Sequence, residues 1–156
     1  MTELDVNATA TNEQSLRTPG WAQATDDEIA ERDALAASVV AALRAAGCPA
    51  DLAHPDTDRD RGYYVEVDAG TDFAGGVFVM WAPGGTVGRQ AKDAVLRHDY
   101  THPAIKFHGE VAHAMTTAAL HILHAAGFTA VLADDDERPY ELDVRAGSLD
   151  AVNWHL

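Results

Sequence analysis

The 156-residue sequence has little cysteine, lysine or serine, and each scarcity excludes something. A single cysteine, Cys48, rules out an internal disulfide and a metal site built on several thiolates. Cys48 follows Gly47 in an apolar stretch, so it is expected to be buried and inert. Only Ser15, Ser38 and Ser148 are serines, and none sits in a G-x-S-x-G elbow, so nucleophilic catalysis has no local signature. No apolar run approaches the ~20 residues that cross a bilayer, which argues against a transmembrane protein. The start, MTELDVNATATNEQ, has neither a basic n-region nor an apolar h-region. With no signal peptide expected and no disulfide, a cytoplasmic location is expected. Nine arginines stand beside two lysines, and alanine is the commonest residue. That bias fits high-GC coding and a bacterial source, so alanine matches within the chain carry little weight.

Positive charge is also scarce. Eleven basic residues face 25 acidic ones, for a formal charge of −14. A field of that sign repels phosphate backbones and anionic lipid, which excludes direct nucleic-acid and membrane binding as expectations. It leaves a basic protein partner, mimicry of nucleic acid, or plain solubility. What is plentiful is apolar residue, at 47%, enough to form a core in one domain of ordinary size.

Residues 1–24 are polar, lack periodicity and contain Pro19-Gly20, so they read as a flexible tail before a single domain at 25–156. Thr25-Asp26-Asp27-Glu28 has the spacing of a capping box, and its acids suit the positive end of a helix. Leu35, Val39, Val40, Leu43 and Ala46 follow at helical spacing, and Gly47 and Pro49 stop the helix. A short apolar piece at 50–53 and an acidic turn lead to the alternating strand 63–67 and a continuous apolar strand at 77–81. Residues 87–98 read as a short helix, interrupted before His102-Pro103. A second long helix is expected over 107–126, then a strand at 128–133, a turn, a strand at 140–146, and a last strand at 151–156.

Placing Gly47 on Gly127 brings the two long helices into register, with Leu43 over Leu123 and Leu35 over Met115. Beyond the turn, Arg61, Tyr63, Val67 and Gly70 fall on Arg138, Tyr140, Val144 and Gly147. The match suggests a duplicated α-β-β-β unit, with halves at about 25–82 and 105–156 and a linker at 83–104. The expected fold is α+β: an antiparallel sheet of five or six strands with two long amphipathic helices on one face. This order of elements is similar to that of type III secretion chaperones and YbjN-like proteins. The likeness implies a small, acidic, commonly dimeric domain.

Three constellations carry candidate chemistry. Asp56, Asp58 and Asp60 alternate as calcium ligands do, but Arg61 and Val67 stand where such a loop wants Gly and Glu, so an acidic turn is the better reading. On the second long helix, Glu110, His113, Thr117, His121 and His124 fall within about an 80° arc. Glu110, His113, His121 and His124 are the metal candidates, though His113 and His121 lie about 12 Å apart along the axis and cannot share an ion. The stripe also suits a face whose charge changes near the ordinary histidine pKa of about 6.5. His108 falls on the apolar side, where a hydrogen-bonded, semi-buried histidine is more usual than a ligand. Third, residues 83–106 carry Arg89, Lys92, Arg97 and Lys106 against Asp93 and Asp99, behind the glycine-rich turn Pro83-Gly84-Gly85. The P-loop ending is missing. Arg89, Lys92 and Arg97 are therefore candidates for an anion or an acidic partner patch. The sequence favours a non-enzymatic acidic protein-binding domain of adaptor, chaperone or inhibitor type, a homodimer, with no cofactor. The alternative is a small metal- or anionic-ligand-dependent enzyme or sensor using helix 107–126 and segment 83–106.

Overall fold

The computed structural model describes residues 22–54, 61–71 and 75–149. In chain order these form α1 (Asp26–Ala45), β1 (Ala50–Leu52), β2 (Gly62–Asp68), β3 (Gly76–Ala82), α2 (Gly85–Leu96), α3 (Pro103–Ala125), β4 (Thr129–Leu132) and β5 (Leu142–Ala146). The class is α+β, as expected. The sheet has five strands in the order β1-β2-β3-β5-β4.

The sheet and the linker are corrected. The sheet is mixed and not antiparallel, because β1 runs parallel to β2, with Ala50 opposite Tyr63 and Leu52 opposite Val65. The two long helices are joined by a third: α2 falls where a short helix was expected at 87–98, two residues earlier at each end, and it sits inside the segment assigned to a linker. The segment 83–104, expected as a linker, holds all of α2 and the turn into α3. The helix α3 begins at Pro103, four residues before the expected start. Proline is no breaker at that position, since its missing N–H would be unbonded in a first turn anyway. His102 completes the start, its Nδ1 accepting from Ala104 N at 3.1 Å. Asp56, Asp58, Asp60 and the expected strand at 151–156 lie outside the described residues. So does the tail up to residue 21, while Ala24 N donates to Ala69 O and Thr71 N donates to Ala22 O.

α1 starts on the expected capping box: Glu28 N donates to the Thr25 hydroxyl, and Thr25 N donates to the Glu28 carboxylate. Those bonds hold the Glu28 pKa below its ordinary value, the backbone bond from Thr25 first. The helix lays Ala36, Val39 and Leu43 onto one face of the sheet, and α3 lays Ala119 and Leu123 beside them. The strands answer with every second residue: Tyr63 and Val65, Val77 and Val79, Leu142 and Val144. Tyr63 reaches across this core, its hydroxyl donating to Met115 O at 2.7 Å. Burial pushes that hydroxyl's pKa up to about 12, and the charge of a Cys48 thiolate adds to the shift. Cys48 itself is half-buried against the core.

The alternate residue Phe78 points to the other face of the sheet, where the Arg138 guanidinium lies 4.0 Å over its ring. Arg138 also pairs with Asp68 at 2.7 Å, Glu141 at 3.2 Å and Glu66 at 3.3 Å. Burial works against its charge, but the hydrogen bond to Glu141 and the charges of Glu66 and Glu141 outweigh that and raise its pKa. One arginine thus fastens the β4–β5 connection across the sheet face.

Candidate functional site

The end of β3 brings Met80 and Trp81 to the rim of the sheet. Pro83, Gly84 and Gly85 then turn the chain into α2, with φ of +56° at Gly84 and +58° at Gly85, values an L side chain rarely adopts. α2 packs chiefly on α3 and leaves the sheet uncovered beside it. Ala91 and Ala94 are its buried residues. Between the α2–α3 hairpin, the end of β3 and the β4–β5 turn runs a trench made of three adjoining hollows.

The largest hollow, about 810 Å³, lies between the first turns of α3 and the β4–β5 turn. Its lining includes Trp81, Lys106, Glu110, His113, Tyr140 and Glu141. The second, about 520 Å³, lies over the glycine turn and is lined by Trp81, Arg89, Lys92 and His108 among others. The third, about 320 Å³, runs between the helices and is lined by Gly88, Ala91, Lys92, Val95, Leu96, Ile105 and His108. These volumes are in the range of ligand-sized clefts. His108 lines all three hollows. It is half-buried, as expected from its place on the apolar stripe of α3, which here runs past the edge of the core. The Trp81 Nε1–H is buried and meets no acceptor among the described residues, and the ring packs edge-on to Tyr63 at 4.8 Å.

Glu110, His113, His121 and His124 are all exposed along one face of α3, as the spacing requires. The fold puts them to separate uses. Glu110 and His113 line the largest hollow, with the His113 ring edge-on to Tyr140 at 5.6 Å. His124 is 2.7 Å from Ala130 O through Nε2, tying the helix end to β4. Among the described residues no three His, Cys, Asp or Glu side chains are grouped to hold a metal ion. Arg89 and Lys92 share the second hollow, one turn apart on α2. Arg97 caps the far end of that helix, eight residues or about 12 Å on from Arg89, and lines none of the three hollows.

Sequence reasoning missed the apolar part of this region. Val95, Leu96, Tyr100 and Phe107 are 47%, 68%, 65% and 56% exposed, and they make up half of the exposed large apolar side chains among the described residues. A helical reading of 87–98 contains part of the signal: Val87, Ala91, Ala94 and Val95 recur at i, i+4, i+7 and i+8, and Leu96 falls on the opposite side of that stripe. No helix among the described residues is long and apolar enough to cross a membrane. The chain matches no protein-family model, no curated protein and no solved structure.

Proposed function

We propose that this is a non-enzymatic protein-binding domain of adaptor, chaperone or inhibitor type, cytoplasmic, whose contact surface is the α2–α3 hairpin. One observation carries the reading: Val95, Leu96, Tyr100 and Phe107 are exposed within a single helical hairpin. Isolated apolar side chains on a surface are ordinary, but a concentration of them marks an interface. The trench beside them supplies concave relief, and the order of elements that resembles secretion chaperones fits the same role. The acidic charge elsewhere keeps the domain soluble while this face stays apolar. The reading includes a homodimer. The outer edge of β4, with Val131 and Leu132 exposed, is free in the sheet order among the described residues and suits strand pairing with a second copy.

The test is a pair of exposed-site variants, Leu96→Asp on the hairpin and Leu52→Asp on β1, each with its melting temperature measured. Cross-linking in cells followed by mass spectrometry should recover a defined partner with the parent chain and with Leu52→Asp, and lose it with Leu96→Asp. The same partner recovered by all three chains would remove the hairpin from the interface.

A further inference from the structure

The hairpin surface has a sign as well as a shape. In a chain with more than twice as many acids as bases, most described arginines are engaged. Arg32 donates to Asp68 O and Gly70 O, Arg44 pairs with Asp51, Arg145 pairs with Asp143, and Arg138 holds its cluster. Arg89 and Lys92 hold no hydrogen bond or ion pair among the described residues, though they stand side by side on the hollow over the glycine turn. No carboxylate lines that hollow or the groove between the helices, among the described residues. The N-terminus of α2 points the same way: its first turn has no acidic residue, and Gly84 offers no side chain to cap it, so the positive end of the helix dipole is not neutralised.

The shape of the groove is equally specific. Gly88 and Gly109 sit inside helices, where glycine is less stable than alanine. A Cβ at either position would meet nothing within 4 Å, so the packing of this chain does not require glycine there. Both glycines border the trench, as does Ala91. Gly88 and Ala91 keep open a floor of the α2–α3 groove against which another backbone can lie close, flanked by Val95, Leu96 and Ile105, while Gly109 lies in the adjoining largest hollow.

From this geometry we infer that the α2–α3 groove takes an acidic amphipathic helical segment of a partner protein. This rests on the protein-binding reading above. Apolar side chains at i, i+3, i+4 and i+7 of the partner enter between Val95, Leu96 and Ile105, as in helix-in-groove recognition. Its carboxylates face Arg89, Lys92 and the start of α2, which fixes register and direction. α2 spans 12 residues, about 18 Å, so the complementary stretch is about three to four turns.

The experiment is a selection from a displayed library of random peptides of about 16 residues, a length of ~24 Å when helical, against the full chain. The best peptides are then remeasured against Leu96→Asp and Arg89→Glu/Lys92→Glu variants. The inference expects enriched peptides to be net acidic with apolar residues at helical spacing. It expects both variants to weaken them by about tenfold or more, the scale of placing like charges across an interface. Affinity for the parent chain should also fall as salt is raised. Enriched peptides that are neutral or basic, or that ignore the charge reversal while losing binding to Leu96→Asp, would overturn the acidic inference and keep the interface. No enrichment, or binding untouched by Leu96→Asp, would overturn the interface reading itself. A peptide of residues 1–21 that binds tighter than any selected one, or a concentration-dependent dimer lost in Leu96→Asp, would assign the groove to the chain's own segment or to a second copy, and the inference would fall.

Discussion

The stretch from Leu43 to Tyr63 and the stretch from Leu123 to Tyr140 leave their helices by the same three backbone bonds and then take different paths. Ala46 N donates to Ala42 O, Gly47 N to Arg44 O and Cys48 N to Leu43 O; Ala126 N donates to Ile122 O, Gly127 N to His124 O and Phe128 N to Leu123 O. The glycines have φ of +84° and +86°. After that, β1 lies parallel to β2, whereas β4 and β5 form an antiparallel pair. Tyr63 is buried at 1% exposure, and its match Tyr140 is 48% exposed with φ of +62°. Arg61 is exposed, and its match Arg138 is the centre of an ion cluster. The helix ends agree because a cap involves only near neighbours. The strands differ because pairing depends on what the connection allows. Tyr63 N donates to Pro49 O, and a Cβ at Gly62 would lie 2.7 Å from that oxygen, so β2 starts hard against the chain entering β1. The residue matching Gly62 is Pro139, whose ring carries a Cβ and fixes φ at about −65°, so it cannot take the +105° of Gly62 or its close approach.

The largest test of the likeness is at the two leucines. Leu43 and Leu123 are both fully buried, 0% exposed, and each is the carbonyl that closes its cap. Leu43→Ala and Leu123→Ala should each lower unfolding free energy by about 2–5 kcal/mol in urea titrations. A difference of more than about 2 kcal/mol between them would show that the two helix ends pack differently despite identical caps.

Next comes the test of the difference. Arg138→Ala leaves Glu66, Asp68 and Glu141 facing one another without their cation and uncovers Phe78. These groups are only partly buried, so the loss should be about 1–3 kcal/mol, below that of a fully buried pair. Arg61→Ala, at the matched but exposed position, should stay within about 0.5 kcal/mol of the parent. Equal losses at both positions in thermal melts would mean that Arg61 has an equivalent role.

This contrast marks how much could be read from the letters. Capping signals, the buried faces of α1 and α3 and the glycine stops depend on residues a turn apart, and they were legible. The direction of β1 was not, because it goes with a bond from Tyr63 N to Pro49 O, fourteen residues apart in the chain. α2 was faint since Gly85 and Gly88 weaken its helical pattern, and Pro103 was read as an interruption when it is a helix start. Arg89 and Lys92 were legible as a basic pair. The groove they flank was not, because its walls come from α2, α3 and β3 together, and His108 takes its meaning only from that junction.

A smaller effect separates the two tyrosines. Tyr63→Phe removes the bond to Met115 O and should cost about 1 kcal/mol, while Tyr140→Phe should be near neutral. The difference should also show in alkali. The folded chain holds the Tyr63 proton to about pH 12, against an ordinary value of 10.0, so above pH 10 the unfolded state loses its proton first. Stability from this group is complete below pH 10 and is lost as pH rises through about 12. Urea titrations at rising pH should show that decline in the parent and in Tyr140→Phe, and a flatter profile in Tyr63→Phe. An unchanged profile in Tyr63→Phe would assign the decline to other groups.

The smallest effect is a gain. α2 ends with the same three bonds as the other two helices: Arg97 N to Asp93 O, His98 N to Val95 O and Asp99 N to Ala94 O. Here the residue at positive φ is His98, at +59°, where the others have glycine. A left-handed conformation costs an L side chain about 1–2 kcal/mol. Glycine at 98 would remove that strain but also enlarge the freedom of the unfolded chain and delete the edge-on contact of His98 with Tyr100 at 6.0 Å. The net for His98→Gly should be a stabilisation of about 0.5 kcal/mol, visible as a small rise in urea midpoint at unchanged slope. A loss of stability would mean that the imidazole holds the α2–α3 turn by more than its backbone geometry, and that this third cap is only superficially like the other two.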